Sequence, residues 1–369
     1  MRPPMIDRRK FLSATLGSSL AGACGWAALG GGGLGLSRLS AKDRPASRNE
    51  KSPAELLTPE THEAINRALA YLDDRQVKNG KFEGAFGTSG YSSGVATTSL
   101  AGLAFLAGGH VPGDGAYGRN VDRAAKYVMS NVQNSGFISL ADGSVGETMY
   151  GHGFSMLFLS QVYGMTRQRE IGEKLRKAVD LTIKAQNNMG GWRYQPAPVD
   201  ADLSVTICQI MGLRAARDAG IYVPDEVREK CIDYVKKSRN RNGSFSYMMG
   251  GGGASLAMTS AGVTSLYSAG IYEGPEIEDA LKIIDQSRPG KAGNVGGHYY
   301  YTHYYAVQAM WHAGGEYWNN WYPAIRDELI QRQQNDGSWP QGGGGPEYSA
   351  AMACIILQMP LNYLPVFAA

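Results

Sequence analysis

Residues able to do chemistry fall in five short stretches of this 369-residue chain. Asp200-Ala201-Asp202 sets two carboxyls two residues apart. A carboxyl does general-acid work when a dry surrounding and polarising neighbours tune its proton. Asp202 also stands where a helix is expected to begin, so capping that helix is the competing role. His298 to Tyr305 is the oddest stretch, with His298, Tyr301, His303 and Tyr304 available to a ligand. Its rings either fill space or line a pocket, where their faces attract positive charge. Tyr150 with His152, Trp192 with Tyr194, and Glu347 with Tyr348 complete the set. Asp202 and Asp200 are the catalytic candidates, and the other ten are binding candidates. His152, Asp200, Asp202, His298, His303 and Glu347 could surround a metal, but scattered histidines are more often hydrogen-bonded structure or pocket wall. No metal site and no cofactor is assigned.

These stretches share one context. A polar-apolar helical segment runs into a glycine and an aromatic, and a second segment of small apolar residues follows. The phrase is clearest at Gly190-Gly191-Trp192, Asn242-Gly243-Ser244-Phe245 and Asp336-Gly337-Ser338-Trp339. Weaker copies are read at Asn79-Gly80-Lys81-Phe82 and Ser135-Gly136-Phe137. A period of about 50 residues signals stacked supersecondary units, which bury their apolar faces only against one another.

Six helix pairs are predicted: 59–76 with 94–107, 121–133 with 151–163, 171–187 with 202–219, 225–238 with 255–269, 275–286 with 301–313, and 318–334 with 348–358. The first member of each pair is amphipathic. Ile171, Leu175, Ala178, Val179 and Thr182 recur on one face with charges between them. The second member carries no polar face, as in the run from Ala96 to Leu106. A helix apolar on all sides is covered on all sides. Two concentric rings of six helices satisfy this alternation, and no strand period is seen.

Gln186-Asn187-Asn188-Met189-Gly190-Gly191-Trp192 and Gln333-Gln334-Asn335-Asp336-Gly337-Ser338-Trp339 resemble the glutamine-to-tryptophan motif of the prenyltransferase and squalene-cyclase repeat family. The resemblance covers roughly residues 59–359. It implies an all-α, (α/α)6 toroid with a pocket where the inner helices begin. It also implies an apolar, isoprenoid-type ligand there. Cyclases of that family use an Asp-x-Asp-Asp acid motif, and this chain has Leu203 at the last position. Aligning on the helix that follows puts Ser204, rather than Asp202, at the acid position. The transferases of that family hold zinc with Asp, Cys and His. Here Cys208 and Cys354 lie about two turns inside their helices. Toroids of six hairpins also host enzymes acting on polysaccharides. That alternative needs two facing carboxylates, with Asp202 and Glu347 as the pair. A non-catalytic envelope scaffold is the third possibility.

The net charge of +3 is an effect of the amino terminus. Arg2, Arg8, Arg9, Lys10 and Arg38 stand there against Asp7, and removing these leaves 31 basic and 32 acidic residues. A near-neutral body argues against nucleic acid as a partner. Asp7-Arg8-Arg9-Lys10-Phe11-Leu12 resembles the twin-arginine export signal and precedes a glycine-rich apolar stretch. Residues 1–36 are therefore read as an export signal, 37–58 as a polar linker and 59–369 as the toroid, with the periplasm or cell envelope as destination. Membrane contact is expected only through the signal segment if it is uncleaved. Cys208, Cys231 and Cys354 form no disulfide or zinc spacing and read as small buried hydrophobes. The partner expected is an apolar small molecule, and the sequence assigns no oligomeric state.

Overall fold

The structure, a computed structural model, describes residues 51–87, 94–140, 148–290 and 298–367. The export segment and residues 37–50 of the linker lie outside them. Twelve long helices follow in six hairpins. The outer members are α1 (Pro59–Arg75), α3 (Gly118–Ser130), α5 (Arg169–Ala185), α7 (Asp225–Lys237), α9 (Pro275–Gln286) and α11 (Gly315–Arg332). The inner members are α2 (Gly94–Ala107), α4 (Met149–Thr166), α6 (Leu203–Asp218), α8 (Leu256–Ser268), α10 (Tyr299–Ala313) and α12 (Pro346–Gln358). Each inner helix packs on the next, and α12 returns to α2. Outside it, α11 packs on α1. The result is the (α/α)6 toroid.

Burial follows the predicted alternation. In α2 every residue except Ala96 is buried, because neighbours surround it. In α1 only one stripe is buried, namely Thr61, Ala64, Ile65, Ala68, Leu69 and Leu72. Helix starts carry their own signals: Thr58 accepts from the Thr61 amide, and Pro59 opens α1. Six helices, α3, α4, α5, α10, α11 and α12, start two or three residues earlier than the apolar period suggests. Gly118 and Gly315 are buried or tightly turned openings without hydrophobic side chains, and Pro346 supplies the first turn of α12.

The repeated glycine has a geometric cause. Gly84, Gly136, Gly190, Gly243 and Gly337 all take positive φ. A side chain at Gly190 would stand 2.0 Å from the carbonyl oxygen of Lys230 on the next outer helix. Gly84 meets the Arg123 carbonyl and Gly136 that of Lys177 in the same way, whereas Gly243 meets the Asp279 side chain at 2.6 Å. Gly337 meets Arg67 on α1, so the last loop grips the first helix and closes the ring.

Glutamine completes the joint. Gln76 donates to the carbonyls of Gly84 and Asn120, and Gln186 to those of Gly190 and Val227. Gln333 donates to Gly337 and, across the seam, to Ala64. Each amide therefore ties its own loop to the neighbouring hairpin.

Two copies of the phrase sit differently from the sequence reading. The first centres on Gly84 and Phe86, not on Gly80 and Phe82. A side chain at Gly80 would touch nothing within 4 Å, and Phe82 is exposed, whereas Phe86 is buried. In the second copy Ile138 takes the buried position of the aromatic. A short antiparallel hairpin, β1 (Ser246–Met248) with β2 (Gly251–Ala254), also corrects the strand-free expectation. Its second strand is Gly-Gly-Gly-Ala, which carries no alternating pattern to detect.

Candidate ligand chamber

All six inner helices begin around one cavity of about 620 Å³. Ala96 and Thr97 come from α2, Tyr150 and Phe154 from α4, and Ser204 from α6. Met258 comes from α8, Tyr301 from α10 and Tyr348 from α12. Tyr194, Tyr247 and the α10 residues Tyr299 and Tyr300 widen the aromatic wall. Glycine backbone from β2 and from residues 342–344 lines the mouth, together with His298. No Asp, Glu, Lys or Arg lines this chamber among the described residues.

The opposite end of the axis is filled. Tyr304 and Phe154 meet edge to face at 6.1 Å, and Tyr304 meets Phe367 at 6.2 Å. Trp311 donates its indole N–H to the carbonyl of Phe367, which pins the chain end under the barrel. Leu364, Val366 and Phe367 are buried there.

Asp202 sits behind the wall. Its Oδ1 accepts from the Val205 amide at 2.9 Å, the cap of α6, and from Ser204 Oγ at 2.5 Å. Its Oδ2 has the Arg193 guanidinium 3.8 Å away. Ser204 Oγ also bonds the Tyr150 hydroxyl, which reaches the chamber. Burial raises the Asp202 carboxyl above the usual carboxylate range. Ser204, the Val205 amide, Arg193 and Tyr247 offset part of that rise. Asp200 is half-exposed, accepts from the Ala201 amide and lies 3.5 Å from Arg193.

Of the sequence candidates, Tyr150, Tyr194, His298, Tyr301 and Tyr348 share the chamber wall. The others are placed elsewhere. Glu347 is buried and takes Arg75 Nε and a second guanidinium nitrogen at 2.8 and 2.7 Å. His152 is fully buried, accepts the Ile138 amide on Nδ1 and meets Thr182 through Nε2. Burial lowers its pKa to about 4. Trp192 bonds the carbonyl of Thr182 and packs in the core. His303 turns toward Trp321 of α11, and burial lowers its pKa to about 4. Tyr304 lies in the filled part of the axis. No three His, Cys, Asp or Glu side chains cluster as a metal site among the described residues.

No family model matches this chain, and no curated protein matches it in sequence. Solved structures match in shape. A type II terpene cyclase from Scytonema, in complex with geranylgeranyl dihydroxybenzoate, is 14% identical with a TM-score of 0.57, covering 85% of this chain and 99% of that one. A GH76 alpha-mannanase from Bacteroides thetaiotaomicron gives 0.60 at 12% identity, covering 85% and 98%. Cellobiose 2-epimerase from Bacillus thermoamylovorans gives 0.59 at 12%, covering 81% and 98%. Three different chemistries on one toroid identify the fold and leave function to the site.

The repeat explains what His152 does. The amides of Phe86, Trp192 and Phe245 donate to Thr98, Thr206 and Thr259, at the same point of their inner helices. His152 fills that place in the second hairpin. Alignment of the repeats carries this signal, but the register of its weak copies is visible only in three dimensions. Phe154, Tyr247, Tyr299 and Tyr300 are chamber residues that the sequence reading did not name. Tyr299 and Tyr300 lie inside the singled-out stretch, whereas Tyr247 arrives on the unforeseen hairpin.

Proposed function

We propose that this protein binds an apolar, isoprenoid-class ligand in its axial chamber. The observation that carries the reading is a ring-faced wall without a charged side chain among the described residues. A volume of about 620 Å³ lies within the usual span of small-molecule sites. Each methylene buried there contributes about 0.8 kcal/mol, so a long hydrocarbon has ample driving force. A terpene cyclase of the same fold holds a geranylgeranyl compound, which supports the reading by analogy.

Acid-initiated cyclisation is the finer version, with Asp202 as acid and the rings stabilising cations. Asp202 does not line the chamber and meets it through Ser204 with Tyr150 and beside Tyr247, so binding is the better-supported part. The polysaccharide alternative finds less support. Its pair, Asp202 and Glu347, is engaged by a helix cap and by Arg75, and neither lines the wall. Export behind the twin-arginine-like segment belongs to the same proposal. Fractionation of cells producing the full chain checks it, and a purely cytosolic product would remove it.

The main test is organic extraction of the purified protein followed by mass spectrometry, with direct binding of geranylgeraniol. An isoprenoid lipid in the extract and saturable binding are expected. A lipid-free protein that binds no isoprenoid would overturn the reading.

A further inference from the structure

Three chamber tyrosines of α10 point their hydroxyl hydrogens away from the ligand space. Tyr301 donates to the carbonyl of Ser204 at 3.0 Å and Tyr300 to that of Pro340 at 2.8 Å. Tyr299 donates to Glu328 Oε1 at 2.8 Å. A phenol owns one hydrogen, so these oxygens keep only lone pairs for a ligand.

Tyr150 is directed by the acid behind it. Asp202 Oδ1 accepts from the Val205 amide and from Ser204 Oγ. The serine hydrogen is thereby committed, and Ser204 meets Tyr150 as an acceptor. Tyr150 therefore donates to Ser204 and turns its lone pairs to the chamber. Tyr194 and Tyr247 share a hydrogen bond beside the Asp202 carboxyl.

We propose that this wall selects a ligand whose polar end is a neutral hydrogen-bond donor, a hydroxyl seated against the oxygens of Tyr150 and Tyr301. This rests on the isoprenoid reading above. The six inner-helix starts alone would favour an anionic head. The outward-wired phenols oppose it, since an anion would face lone pairs, with the Asp202 carboxylate close behind. The same helix starts disfavour an ammonium head. A hydroxyl meets neither penalty, and its hydrogen completes the network. An ether of the same chain brings no hydrogen and leaves the lone pairs unmatched.

The experiment compares four probes on one C20 chain: geranylgeraniol, its methyl ether, geranylgeranylamine and geranylgeranyl diphosphate. Affinities are read by calorimetry with the whole protein. The alcohol is expected to bind about fivefold to tenfold tighter than the ether, the worth of about one hydrogen bond. It should also exceed the amine and the diphosphate. Tighter binding of the ether, amine or diphosphate, or equal binding of alcohol and ether, overturns the inference while the chamber reading stands. If none of the four binds, both fall.

Ser204→Ala tests the wiring. It frees the Tyr150 hydrogen to turn inward, and the alcohol-to-ether preference should shrink several-fold. An unchanged preference in a variant with wild-type circular dichroism overturns the relay. Should Ser204→Ala fail to fold, Tyr150→Phe carries the test through the same ratio.

Discussion

The two ends of the toroid are built from the same twelve helices and end differently. Where the inner helices begin, a chamber of about 620 Å³ stays open under glycine-rich segments. Where they finish, Tyr304, Trp311 and Phe367 close the axis. The contrast teaches that helix packing sets the ring, while the loops and the carboxy-terminal segment decide which end is a site. Stability belongs to the joints and the plug, and the proposed ligand selectivity to hydroxyl directions on the open side.

The strongest way to break this contrast is at the joints. Gly190→Ala would drive a methyl to 2.0 Å from the Lys230 carbonyl at a φ of +98°, and Gly337→Ala to 2.4 Å from that of Arg67. Each should cost about 3–5 kcal/mol by overpacking and backbone strain. Gly343, which meets nothing within 4 Å, should accept alanine within about 0.5 kcal/mol. Urea melts of the three variants decide it, and equal losses would show that the glycines are not joints.

The plug comes next. Phe367→Ala should lower stability by about 3–4 kcal/mol by removing a buried ring from under Tyr304. Ligand affinity should change less than twofold, because Phe367 itself does not line the chamber. A large affinity loss would mean that the two ends are coupled.

Acid sharpens the comparison further. His152 and His303 have pKa values lowered to about 4 by burial. The unfolded chain binds more protons than the folded one between there and about 6.5, so stability rises with pH across that window and is lost as pH falls through it. Each contributes roughly 3 kcal/mol at neutral pH relative to pH 4. His152→Thr, which copies the residue used in three other hairpins, should flatten part of this slope. Thermal melts from pH 7 to 4 read it, and an unaltered slope would acquit His152.

The smallest expected effect lies on the open side. Tyr301→Phe removes the bond to the Ser204 carbonyl and should cost about 1 kcal/mol, measured by chemical denaturation. A loss several times larger would make that wall structural.

The helical count and the inner–outer alternation were legible because they rest on side-chain periodicity. The joints were legible at Gly190, Gly243 and Gly337, where a glycine and a large aromatic stand together. They were not at Gly84, where the nearby Gly80 and Phe82 imitate the pattern on the surface. Chemistry was harder to read than architecture. Tyr150, Tyr194, His298, Tyr301 and Tyr348 were named from their place at helix starts and do line the wall. His152 and His303 stand near helix starts too, but each lies two residues past a wall tyrosine, and about 200° of helical rotation faces it outward. Asp202 carries the residue type of an acid, and a two-residue offset gives the wall position to Ser204.

Sequence alone determined six hairpins, their order and the glycine joints other than Gly84, since period and helix caps are local properties. Tertiary structure decided which side chains share a chamber, which partners their hydroxyls meet, and that Asp202 lies behind Ser204. Those depend on the rotation of each helix about its axis and on partners up to a hundred residues away, which no local pattern encodes.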